Sequence, residues 1–168
     1  MTGWQGRYFE DFAAGEQIEH GWARTVTEND NHQFTLLTCN SNMTHTNDVF
    51  AAETEFGKPL VNSTFTLALV SGLTVRDISE NAMANLGWES VEIPGPVFVG
   101  DTIYATTEVL ECRESRSRPE VGIIRVRTVG YKQDGNPVMR FVRTVMVFKR
   151  GFGPRRTWPK LNDAASVG

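Results

Sequence analysis

Cysteine and histidine are scarce in this chain, and each shortage excludes something. Cys39 and Cys112 are the two cysteines, far apart and in no ligand spacing, so neither a disulfide framework nor a zinc site organises the fold. Reduced thiols in a cytoplasm are the expectation, and no metal is expected. Basic charge is not in excess either: the formal net charge is -3, which offers no field for a polyanion, and nucleic acid is not an expected partner. No stretch approaches the roughly 20 apolar residues of a membrane span. The opening MTGWQGRYFEDF carries aromatics and acids where a secretory leader carries a basic flank and an apolar run, so no leader is expected. The sequons at Asn42 and Asn62 are accordingly expected to stay unmodified. Internal repeats and low-complexity linkers are missing too.

What is present suits one domain. The 168 residues, 40% of them hydrophobic, are enough for a single packed core and too few for two. Residues 7–150 are expected to form it. The remaining 151–168, GFGPRRTWPKLNDAASVG, form an irregular tail in which Pro, Gly and paired arginines disfavour regular structure.

Hydropathy patterning predicts the elements. Residues 17–27 read as an extended strand, and Thr27 with Asp30 resembles an N-cap with an acid in the first helical turn. NDVFAAETEFG predicts a second short helix, stopped by Gly57 and the Lys58-Pro59 exit. From Ser63 to about Ser79, STFTLALVSGLTVRDIS predicts a helix capped by hydroxyls and apolar around most of its circumference, hence buried on most sides. After it the period changes to two: SVEI, DTIYATTEVLECRES and VGIIRVRTVGYKQDGNPVMRFVRTVMVFKR predict antiparallel strands, joined across RSRPEVG and QDGNP. This order predicts an α+β architecture, a curved antiparallel sheet wrapped around one long apolar helix, the shape called a hotdog. A single copy leaves sheet edges and apolar helix surface in water, so at least a homodimer is expected.

One stretch stands apart. TCNSNMTHTND, residues 38–48, sets His45 among three asparagines and several hydroxyls, with Asp48 as its only carboxylate. An imidazole exchanges protons near neutrality, whereas His20 and His32 lack such surroundings and read as structural. Asn40 and Asn42 could equally be plain turn or cap residues, since asparagine satisfies backbone groups locally.

Over about Arg7 to Arg150 the chain resembles the MaoC-like hydratases and dehydratases, a hotdog family acting on acyl thioesters of coenzyme A. The resemblance is carried by TLLTCNSNMTHTNDVFAAETEFGKPLVNS. The family pattern there has an aspartate, an asparagine two residues later and a histidine three further on, which fall on Asn40, Asn42 and His45. Its serine within the central helix falls on Ser71, and the backbone N–H facing the thioester carbonyl falls on Ser63. Over FTLLT, NLGW and ESRSRP the chain is similar to the itaconyl- and mesaconyl-CoA hydratase-like branch. It departs from the pattern at Asn40, since an amide cannot exchange a proton near neutral pH.

The resemblance implies hydration or dehydration of an enoyl-CoA, with coenzyme A entering only as part of the substrate and no further cofactor. It assigns His45 the proton transfers, Asn40 the holding of water, and Ser63, Ser71 and Asn42 the oxyanion and substrate contacts. Asp48 and Glu53 stand as replacements for the missing acid. Arg113, Arg116 and Arg118 are candidates for coenzyme A phosphates or a substrate carboxylate, or else a solvated hairpin tip. A hotdog thioesterase and a non-catalytic acyl-CoA binder remain as alternatives.

Overall fold

The structure, a computed structural model, describes residues 5–154; the expected tail lies outside the described residues from 155 onwards. Two short strands open the chain, β1 (Gln17–Glu19) and β2 (Arg24–Thr25), where one continuous strand was expected. Both pair antiparallel with β4 (Thr102–Glu114), and the break between them lets His20 turn inward. Helix α1 (Glu28–Leu37) begins at a full capping box: Thr27 Oγ1 accepts from Asp30 N–H, and Asp30 accepts from Thr27 N–H. Helix α2 (Asp48–Ala52) is a short turn capped by Asn47.

The central helix α3 (Ser63–Leu73) is shorter than its pattern predicted and continues as a π turn over Val75–Ser79. Its cap is Asn62, whose Oδ1 accepts from Thr64 N–H at 3.0 Å, not one of the hydroxyls that follow. Phe65, Thr66, Val70 and Leu73 are buried, whereas Thr64, Ala68, Gly72 and Val75 face solvent. Burial on most sides is therefore not reached within one chain.

The sheet runs in the order β1-β4-β5-β6-β3, with β3 (Ala82–Glu92), β5 (Val121–Lys132) and β6 (Pro137–Phe148), all neighbours antiparallel. The helix is seated against β5 at Gly130, where a Cβ atom would lie 2.4 Å from Val70 Cγ2. Only glycine permits that approach. Val70, Phe65, Leu73, Ile103, Met139 and Phe141 form the core under the helix, and a second cluster around Ile78, Val109, Val126 and Val145 fills the far end.

That far end contains a buried polar chain. His20 donates from Nδ1 to Asp77 Oδ2 at 2.9 Å and accepts at Nε2 from the Thr107 hydroxyl at 2.8 Å, which in turn meets Thr128 Oγ1 at 2.9 Å. Burial pushes the His20 pKa below its ordinary 6.5, outweighing the pull of Asp77, so the ring is neutral and the pair with Asp77 is a hydrogen bond from an uncharged donor. The unfolded chain thus binds this proton more readily than the folded one. Stability is expected in full above about pH 6.5 and to fall as pH drops through the lower folded-state value. Melting temperature measured against pH should show this decline, and His20→Gln should flatten it.

Candidate active site

Helix α1 ends in a left-handed turn that delivers Asn40. Cys39 has φ of +55°, Asn40 N–H donates to Thr35 O at 3.0 Å, and Cys39 N–H donates to Leu36 O at 3.1 Å, the paired bonds of a Schellman motif. A side chain at that φ costs about 1 kcal/mol that glycine avoids. Cys39→Gly is expected to raise the urea midpoint by a corresponding amount while leaving the position of Asn40 intact.

Asn40 and Asn42 are both engaged locally. Asn40 Oδ1 accepts from Asn42 N–H at 3.0 Å, and Asn42 Oδ1 accepts from Thr44 N–H at 3.0 Å, capping the 3-10 turn Met43–His45. Their oxygens fold the loop. With one lone pair of the Asn40 oxygen committed to the loop, its NH2 group stands as a donor with no partner among the described residues.

The loop hangs the His45 ring from the approach to α3. Nδ1 of His45 lies 2.8 Å from Leu60 O; a carbonyl can only accept, so Nδ1 carries the proton and Nε2 carries the lone pair. Among the described residues nothing bonds to Nε2. Leu60 bridges to Phe98, Val61 N–H donates to Val97 O, and Ser63 begins the helix three residues on. His45 is thereby tied to the amino end of α3, where unpaired N–H groups and the helix dipole favour negative charge. Thr64 N–H is taken by Asn62, and no acceptor among the described residues takes Ser63 N–H.

Asn31, on α1, joins these pieces and was not singled out from the sequence. It is 1% exposed. Its Nδ2 donates to His45 O at 2.8 Å and to Leu60 O at 3.2 Å, and its Oδ1 accepts from Asn62 N–H at 2.9 Å. One amide thus ties the histidine loop, the Leu60 segment and the helix cap together. The buried Asn62 adds a bond from Nδ2 to Thr35 Oγ1 at 3.3 Å.

The other candidates lie further out. Asp48 lines a cavity of about 200 Å³ with Asn31, His32 and Lys58, Glu53 is exposed, and no carboxylate among the described residues pairs with the His45 ring. Ser71 sits two turns along α3 and accepts from Arg143 Nη1 at 3.2 Å. Arg113, Arg116 and Arg118 are exposed at the β4–β5 hairpin, where Arg113 pairs with Glu111 and Arg118 with Glu120. The 13 residues of β4 span roughly 40 Å at about 3.3 Å each, so within one chain these arginines are remote from His45. Among the described residues no group of three or more His, Cys, Asp or Glu is placed to hold a metal ion, and no helix is long and apolar enough to cross a membrane. A hollow of about 1130 Å³ runs along a different flank of α3 beside Trp22, Phe34, Phe65, Leu69 and Gly72 and includes neither His45 nor Ser63.

Mesaconyl-CoA hydratase of Cereibacter sphaeroides is 38% identical over 96% of this chain and 48% of its own length. Beta-methylmalyl-CoA dehydratase of Chloroflexus aurantiacus is 33% identical over 96% of this chain and 47% of its own. The chain therefore spans about half the length of the curated relatives it matches. A Mycobacterium tuberculosis protein with a double hotdog fold superposes with a TM-score of 0.80 at 20% identity, over 90% of this chain and 47% of that one, a likeness of fold alone. Residues 11–131, reaching to one residue short of the end of β5, match the family model described as MaoC like domain, and the chain belongs to that family.

Proposed function

We propose that this chain is the hotdog domain of a hydratase or dehydratase that adds or removes water across the α,β double bond of an acyl-CoA thioester, with short branched or dicarboxylic enoyl groups as substrates. The observation that carries the reading is the His45 ring, fixed through Nδ1 to Leu60 O with Nε2 free, beside an uncommitted Ser63 N–H at the start of α3. The two relatives, a mesaconyl-CoA hydratase and a beta-methylmalyl-CoA dehydratase, support the same substrate class.

In hydration, Nε2 of His45 removes a proton from water as the water oxygen bonds to the β-carbon. The displaced π electrons move onto the thioester oxygen, which Ser63 N–H and the helix terminus stabilise. The imidazolium then returns its proton to the α-carbon as the enolate collapses, and dehydration runs the same steps backwards. Asn40 donates from its NH2 to the water oxygen, fixing the angle of attack without exchanging a proton. No cofactor beyond the coenzyme A of the substrate is needed.

Incubation with mesaconyl-, itaconyl- and crotonyl-CoA, following loss of the conjugated thioester absorbance, tests the proposal. Absorbance loss without free thiol supports hydration; release of thiol points to a thioesterase, and silence from folded protein to a binder. Asn40→Asp is expected to retain activity while adding a second ionisation to the pH–rate profile. An unchanged profile would remove Asn40 from the water's surroundings.

A homodimer in the cytoplasm is part of the same proposal. Among the described residues strand β3 leaves one edge unpaired and exposes Leu86, Trp88 and Val91, with Ile93 exposed just beyond its end, and two copies joined there would reproduce a double hotdog. The two free thiols suit a reducing compartment. Light scattering should give twice the 18.8 kDa of one chain.

A further inference from the structure

A second polar cluster lies along α3, beyond the reach of His45. Arg143, on β6, points inward with Phe141 and Val145 and is 4% exposed. Its Nη1 donates to Ser71 Oγ at 3.2 Å and its Nη2 to Thr74 Oγ1 at 2.9 Å, while Nε is buried with no partner. The guanidinium carbon lies 5.6 Å from the centre of the Trp88 ring. Among the described residues no carboxylate pairs with it. Burial with no anion to offset it pushes its pKa down to about 10.

Such a group is costly. A buried charge without a counter-ion destabilises a fold, and an apolar residue of similar volume would ordinarily pack better. The hydroxyls of Ser71 and Thr74 use two of the five guanidinium N–H groups and supply no negative charge. The Nε–H and a neighbouring Nη–H remain, the fork that grips a carboxylate through two parallel bonds.

The position is as telling as the missing charge. Ser63, Leu67 and Ser71 are spaced i, i+4, i+8 and form one stripe on α3, each of them only partly buried. The stripe starts at the proposed oxyanion donor and ends at Ser71, a rise of about 12 Å, and there Arg143 Nη1 donates to Ser71 Oγ. A thioester oxygen sits about 2.9 Å from its N–H donor. A planar trans four-carbon unit adds roughly 3.8 Å, and a guanidinium–carboxylate contact a further N···O distance of about 2.8 Å. Laid end to end, these lengths are of the same order as the rise from Ser63 to Ser71.

We propose that Arg143 anchors a second carboxylate on the acyl group, making the substrate a monothioester of a short dicarboxylic acid. The anchor rests on the hydratase reading for the placement of the thioester at Ser63. It gives the role of carboxylate recognition to a buried strand residue, not to the exposed arginines at the β4–β5 hairpin.

Calorimetric binding of succinyl-CoA and butyryl-CoA, saturated four-carbon thioesters that differ in the distal carboxylate, tests the anchor without turnover. Wild-type protein is expected to bind succinyl-CoA about tenfold or more tightly than butyryl-CoA. Arg143→Gln should bring succinyl-CoA down to the butyryl-CoA level and leave butyryl-CoA within about twofold of its original affinity, while Arg143→Lys keeps part of the preference. A purely structural arginine would shift both ligands together. Equal affinities in the wild type overturn the proposal outright, whether or not the variants fold. Hydration of crotonyl-CoA without a succinyl preference would remove the anchor and leave the hydratase; a succinyl preference in a protein that hydrates nothing would do the reverse.

Discussion

Replacing His45 with alanine is expected to lower kcat for enoyl-CoA hydration by about 10³-fold, the usual scale for losing a positioned general base. No neighbour can take its place, since no carboxylate among the described residues pairs with the ring and Asn40 cannot exchange a proton. Stability should hardly change. The ring is half-buried and makes one hydrogen bond, to Leu60 O, worth about 1 kcal/mol net. His45→Gln would restore bulk and polarity without the proton transfer, so it should be as inactive as alanine. Turnover from the thioester absorbance and a melting curve on the same samples check both halves. A variant retaining more than about a tenth of wild-type activity would move the chemistry to another residue.

The largest loss of stability is expected from Asn31→Leu. That substitution fills a similar volume but orphans the carbonyl of His45 and the N–H of Asn62, each costing about 1–3 kcal/mol when unpaired, and leaves Leu60 O with the His45 Nδ1 bond alone. Partial relaxation should bring the total to roughly 3 kcal/mol, read as a shift in the urea midpoint. Activity should fall further than stability explains, by about 10–100-fold at temperatures where the variant is folded, because His45 and Ser63 lose their shared support. Asn31→Asp keeps the acceptor for Asn62 N–H and loses both donors, so it should fall between leucine and wild type. A folded Asn31→Leu with normal kcat would show that the loop holds His45 without this amide.

How much of this was legible in the sequence depended on whether local chemistry or distant packing set each feature. The Thr27–Asp30 box and the two hairpins are built by residues within a few positions of one another, and they were readable as such. Strand β3 was read only from SVEI onwards. AMANLGW is poor in strand formers, and its extended shape comes from pairing with β6, to which it contributes no local signal. The central helix was traced to Ser79 because its apolar pattern persists past Leu73, although the backbone there widens into a π turn. His45 stood out by its polar neighbours. Asn31 did not, since an asparagine in a short helix usually faces water and its three partners are brought to it by the tertiary fold. Arg143 left one usable trace: it takes the inward register between Phe141 and Val145, where a period-two strand calls for an apolar residue.

The pairing of β3 with β6 slips at Ala82/Ala84, Asn85/Gly87 and Glu89/Glu92, and Ser90 adopts a φ of +49°. A straight, regular border would template any extended peptide and invite endless stacking into fibres. An irregular one accepts little except a strand with the same kinks running the other way, which is what an identical molecule related by a twofold axis presents. Under the proposed twofold pairing, the deformities of this border act as a stop signal, so that growth closes after a single step.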